Sequence, residues 1–151
     1  MGVELSQKCQ YAMRAVFELA KRQNEGPVKI ASIAAAQAVP PRFLENILNQ
    51  LKRDGIVDSR RGKRGGYVLT KDPAKLDVGT VIELTQGPVS LVDCDGGAPG
   101  TDCPFKKDCV FWPVWNKARK ALVDVYSTTT FAELVENEQS RQADHAYAYS
   151  I

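Results

Sequence analysis

The segment that most constrains the fold runs from Pro40 to Gly55, because both ends and one face of a helix are written into it. Two adjacent prolines, Pro40 and Pro41, open it and Gly55 closes it. Proline suits a first helical turn, whose N–H groups have no intrahelical acceptor, and glycine readily takes a left-handed cap. In between, Leu44, Ile47, Leu48 and Leu51 fall at i, i+3, i+4 and i+7. That spacing predicts a helix over about 41–54 with its apolar side in the core. Arg42, Glu45, Asn46, Asn49 and Arg53 take the other side. Two β-prone runs follow, 56–60 and 66–70, flanking Arg61, Gly62, Lys63, Arg64 and Gly65. They predict a hairpin with a cationic tip.

Two helices precede this unit. Tyr11, Ala12, Ala15, Val16, Leu19 and Ala20 recur at spacings of three and four between Ser6 and Lys21, and Gly26 and Pro27 end the run. Residues 29–37 predict a short alanine-rich helix with Ile30, Ile33 and Ala34 on one side. After the hairpin, Asp77 is placed to cap a helix through Val78, Val81, Ile82 and Leu84 that stops near Gly87 and Pro88. Val114, Ala118, Ala121, Leu122, Val125 and Tyr126 mark a helix of about 14 residues with a long apolar stripe. Thr130-Phe-Ala-Glu133 reads as a capping box that starts a last short helix. The polar residues beyond about Gln139 read as a mobile tail.

Three short helices followed by a basic hairpin form a winged helix-turn-helix layout, in which the third helix enters the major groove and the wing touches the backbone or minor groove. The charge fits. Net charge is only +2, but residues 1–80 hold fourteen basic and eight acidic side chains, whereas residues 81–151 hold six and ten. Residues 42–64 alone carry seven basic and three acidic side chains. On the third helix, Arg42 suits a guanine edge, Asn46 or Asn49 an adenine, and Glu45 the N4 amine of cytosine. Arg60, Arg61, Lys63 and Arg64 of the wing supply electrostatic affinity, with Arg61 placed to enter a minor groove.

Cys94, Cys103 and Cys109, separated by eight and five residues, lie in a stretch without apolar period. Three converging thiolates bind soft metals well, but no pair here has the two-to-four-residue spacing common in zinc sites. Spacing alone decides neither for zinc nor for an iron–sulfur cluster. Asp93, Asp95, Asp102 and Asp108 add negative charge that a bound cation or cluster would offset. No apolar run reaches the roughly 18–20 residues that span a bilayer, and Glu4 and Lys8 stand where an export signal would be apolar. The expected location is cytoplasmic, where thiols stay reduced.

Four pieces together resemble the Rrf-type winged-helix regulators: Tyr11-Ala-Met-Arg14, the run from Arg42 to Leu48, the run from Arg61 to Tyr67, and the three-cysteine loop followed by a long helix. The resemblance covers about residues 5–138. It implies a homodimer on a near-palindromic promoter site, with the helix from about 113 to 127 crossing its twin. It also implies an iron–sulfur cluster, 2Fe-2S more often than 4Fe-4S, held by Cys94, Cys103 and Cys109. Arg42, Glu45, Asn46 and Arg61 match positions of DNA contacts. Two departures stand out. The first gap between cysteines is longer than usual, and Trp112 replaces a histidine ligand. Gln10 stands where other members recruit a carboxylate from the partner's first helix; Cys9 beside it, or a neighbouring group, is the candidate fourth donor across the dimer, the alternative being a packed thiol.

The expected architecture is therefore mainly α: a winged helix-turn-helix DNA-binding domain (1–88), a cysteine loop (89–110), a dimerisation helix with a short capping helix (111–139) and a flexible tail (140–151). The expected function is a transcriptional regulator, most simply a repressor, sensing redox state, iron or nitric oxide. A competing reading draws on members of the same family that control cysteine metabolism by binding cysteine synthase. The tail Ala146-Tyr-Ala-Tyr-Ser-Ile151 ends in the isoleucine carboxylate that cysteine synthases accept from a partner. A redox enzyme or electron carrier is the third class. No nucleophile–base pair, phosphate loop or nicotinamide fingerprint supports it, so the chain is not expected to be an enzyme.

Overall fold

The computed structural model describes residues 4–92, 94, 103–105 and 108–148. Six helices and a two-stranded antiparallel sheet make up these residues. α1 (Gln7–Lys21) begins at Ser6, whose hydroxyl accepts from the Cys9 N–H at 3.2 Å. α2 (Ile30–Gln37) ends on Ala38, which takes the left-handed conformation at φ 51°. α3 (Pro41–Arg53) has proline in its first turn and is followed by Gly55 at φ 73°, as the sequence required.

Leu44, Leu48 and Leu51 are fully buried against Ala12, Ala15, Val16 and Leu19 of α1 and Ile33 of α2. Each such side chain contributes roughly 1.5–3 kcal/mol over its exposed state. This contact fixes α3 with its polar side outward.

β1 (Val57–Arg60) and β2 (Gly66–Leu69) pair in the register Val57 to Leu69 and Arg60 to Gly66. Val28 adds a third, single-residue rung that the sequence did not announce. It exchanges hydrogen bonds of 2.9 and 2.8 Å with Tyr67. The wing is thereby tied to the chain between α1 and α2.

α4 (Val78–Gln86) is capped by Asp77, whose two carboxylate oxygens accept from the N–H and hydroxyl of Thr80 at 2.8 Å. Val81 and Ile82 are buried, whereas Leu84 is 36% exposed.

α5 (Trp112–Thr128) runs 17 residues, three more than expected, and buries none of them. Val114, Ala118, Ala121 and Val125 form an exposed apolar line along it.

α6 (Phe131–Ala148) departs most from expectation. The Thr130 hydroxyl accepts from Glu133 N–H at 3.2 Å, as the capping pattern predicts, but the helix is 18 residues long instead of short. Residues 140–148, expected as an irregular tail, are helical. The reason is intrinsic: Glu136, Glu138, Gln139, Arg141, Gln142 and Ala143 favour helix without an apolar stripe to reveal it. The first part of α6 is held by buried Phe131, by Leu134 and Val135 against the core, and by a 2.7 Å ion pair between Glu138 and Lys21.

Candidate nucleic-acid interface and cysteine loop

The structure brings the sequence-selected polar residues to the surface of one unit. Arg42, Glu45, Asn46 and Asn49 are all exposed on α3, opposite the buried leucines. Arg60, Arg61, Lys63 and Arg64 are all exposed at the wing tip. None of these four wing cations makes an ion pair or side-chain hydrogen bond among the described residues, so their charge is available to phosphate.

Two glycines make the wing possible. A Cβ on Gly65 would lie 2.3 Å from the Arg60 carbonyl oxygen. One on Gly66 would lie 2.4 Å from that of Val28.

Sequence reasoning missed several participants. Lys8 of α1 and Lys52 of α3 line an open hollow with Asn46, Asn49, Gln50 and Arg53, extending the cationic surface from the wing toward the start of α1. Lys52 is partly committed, donating to the Ser59 hydroxyl and lying 3.7 Å from Asp58. The Arg42 guanidinium sits over the Phe43 ring at 4.7 Å, and the Phe43 ring meets Tyr11 at 5.8 Å. An aromatic residue on the polar side of a helix's first turn was the signal that could have found this group.

Glu18 was also missed. Only 1% exposed, it accepts from Arg22 Nε at 2.6 Å and Gln37 Nε2 at 2.7 Å.

Cys94 is exposed, Cys103 and Cys109 are half-buried, and all three are free thiols. Among the described residues they are not gathered into a group of three or more metal-ligating side chains. Asp93, Asp95 and Asp102 lie outside the described residues, as does Ile151. The loop runs straight into α5, where the Trp112 N–H donates to the Cys109 carbonyl at 3.3 Å.

Three unpaired thiols on one loop suit iron or another soft metal by donor chemistry. Cys9, the candidate fourth donor, is fully buried between α1 and α4 against Val78 and Ile82 within one copy of the chain. Gln10 is exposed, with its amide donating to the Leu5 carbonyl at 2.9 Å.

A helix-turn-helix with a polar third helix and a cationic, glycine-built wing defines a winged-helix DNA-binding protein. The chain belongs to the Rrf2 family of iron-dependent transcriptional regulators, which it matches over residues 5–137.

It is 33% identical over 138 residues to the HTH-type transcriptional regulator IscR of Serratia proteamaculans, spanning 90% of this chain and 81% of that protein. It is 31% identical over 149 residues to the regulator CymR of Bacillus subtilis, spanning 99% and 100%. Among solved structures, T. potens IscR superposes with a TM-score of 0.75 at 31% identity, covering 94% of this chain and 93% of that one. CymR, the global cysteine regulator of B. subtilis, gives 0.73 at 31% identity, covering 89% and 97%. The chain is thus a DNA-binding transcriptional regulator. No helix among the described residues is long and apolar enough to cross a membrane.

Proposed function

We propose that the protein is a homodimeric repressor that reads a near-palindromic promoter site and senses redox state, iron supply or nitric oxide through an iron–sulfur cluster on Cys94, Cys103 and Cys109. The observation that carries this reading is the placement of three free thiols on the loop leading into an unburied apolar helix. When bound, a cluster, 2Fe-2S in this reading, supplies a centre whose charge and integrity follow the chemical signal.

The chain's own residues do the rest. Val114, Ala118, Ala121 and Val125 of α5 pack on the same helix of a second copy. The Cys109–Trp112 hydrogen bond joins loop to helix. Arg42, Glu45, Asn46 and Asn49 meet base edges, while Arg60, Arg61, Lys63 and Arg64 neutralise phosphates. Two reading helices must stand about 34 Å apart to enter successive major grooves, so a change in how the α5 helices cross shifts the population able to bind.

Anaerobic purification with iron and sulfide counts, an absorption spectrum and binding to the protein's own upstream region tests the reading. A coloured protein that loses its iron on Cys103→Ser is expected; a spectrum altered by Cys9→Ser makes Cys9 the fourth donor, and an unchanged one rules it out. A reconstituted protein that stays colourless overturns the cluster.

The second reading is a cluster-free regulator of cysteine metabolism that signals by binding cysteine synthase through the tail ending at Ile151. Its support is the match to B. subtilis CymR, which extends over nearly all of both chains. A pull-down with cysteine synthase, repeated after deletion of the last four residues, decides it. No enzyme held by the intact tail ends this alternative.

A further inference from the structure

Phe43 is 37% exposed on a helix whose apolar side is already filled by Leu44, Ile47, Leu48 and Leu51. Core packing therefore gives little reason for an aromatic ring there. Its neighbours give one. The Arg42 guanidinium lies 4.7 Å from the Phe43 centroid, and on the α1 side the Tyr11 ring lies 5.8 Å away at an inclination of 37°. Three side chains thus touch in series, Tyr11–Phe43–Arg42, from the first helix to the opening turn of the third.

That turn is where a recognition helix presents side chains to base edges. A bidentate contact to guanine O6 and N7 needs the planar fork of arginine held at a defined angle. An arginine on an exposed first turn otherwise samples many rotamers and must be ordered at the moment of binding. The negative face of an aromatic ring attracts the guanidinium, and at an exposed site this favours the stacked state by about twofold to fivefold. Tyr11 limits where the Phe43 ring can go.

We propose that Phe43 is a positioning residue for base recognition: braced by Tyr11, its ring holds the Arg42 guanidinium for a guanine in each half-site and so sets part of the sequence preference. The proposal rests on the reading of Arg42 as a base contact, and the test separates the two.

The probe is a duplex selected by the full-length protein from a randomised pool, with each half-site guanine replaced in turn by 7-deazaguanine, which lacks the N7 acceptor. Phe43→Leu and Phe43→Met are expected to lower affinity for the guanine duplex by about twofold to fivefold and to narrow the guanine to 7-deazaguanine ratio at one position. Phe43→Tyr, which keeps the ring, should retain both. Arg42→Ala should bring that ratio to one and erase any further effect of Phe43→Leu, since the two act as a unit.

If Phe43→Leu and Phe43→Met leave the ratio at the parent value while Arg42→Ala abolishes it, the positioning role is overturned and the Arg42 contact stands. If Arg42→Ala leaves every ratio unchanged, the underlying contact is overturned, and the positioning role with it.

Discussion

The Glu18 carboxylate accepts a 2.7 Å hydrogen bond from the Gln37 side-chain amide, joining the first helix to the last residue of the second. Glu18 is the single buried charged side chain among the described residues, and Arg22 at 2.6 Å satisfies its other oxygen. Arg14 reinforces the joint by donating to the Gln37 carbonyl at 3.0 Å. The turn that sets the angle of the reading helix begins at the residue after Gln37.

Glu18→Ala removes an acceptor whose donors then lack a protein partner. Arg22 is about one-third exposed and recovers water, which holds the loss to about 2 kcal/mol. A urea titration should show the midpoint falling with an unchanged slope. An unaltered midpoint would mean that the network holds nothing together.

Gly66→Ala should disable the wing. Its backbone sits at φ 156°, and a Cβ would press to 2.4 Å from the Val28 carbonyl oxygen, which belongs to the rung that anchors the hairpin. Strain of roughly 1–3 kcal/mol is expected. Hydrogen exchange should show faster opening of the Val28 and Tyr67 amides, together with weaker DNA binding, while the buried face of α3 stays protected.

Arg61→Ala should act on affinity through salt. Each phosphate neutralised on duplex DNA contributes about −0.9 to the slope of log K against log salt. Removing one exposed, unpaired wing cation should therefore reduce the slope by about one unit. The same slope in parent and variant would remove Arg61 from the backbone contacts.

Val125→Glu tests what covers α5. Val125 is 59% exposed and Val114 55%, on a helix that buries none of its residues within one copy of the chain. A carboxylate buried in a pairing surface is costly to desolvate. Sedimentation should show a dimer for the parent and a monomer for the variant at micromolar concentration, with operator affinity lost in parallel. A variant that sediments as the parent does would place the dimer contact elsewhere.

What the sequence determined by itself was everything governed by near neighbours along the chain. The spacing of Leu44, Ile47, Leu48 and Leu51, the prolines before them and Gly55 after them specify α3 and which of its sides faces out. Glycines between two β-prone runs specify the wing and put its cations at the tip. The polar residues of α3 and the wing were legible for the same reason, because the side that is not apolar must be the exposed one.

Tertiary structure alone decided what depends on residues distant in sequence. Cys9 lies beside Gln10 in the chain, yet packing against Val78 and Ile82 makes one a core residue and leaves the other at the surface. Glu18 reads as one more surface carboxylate until Gln37 closes over it, and Val28 becomes a strand residue only where Tyr67 meets it. The series of contacts from Tyr11 through Phe43 to Arg42 forms because α1 and α3 share a core. A contact across 32 residues depends on how two helices pack, and periodicity within either helix carries no information about that.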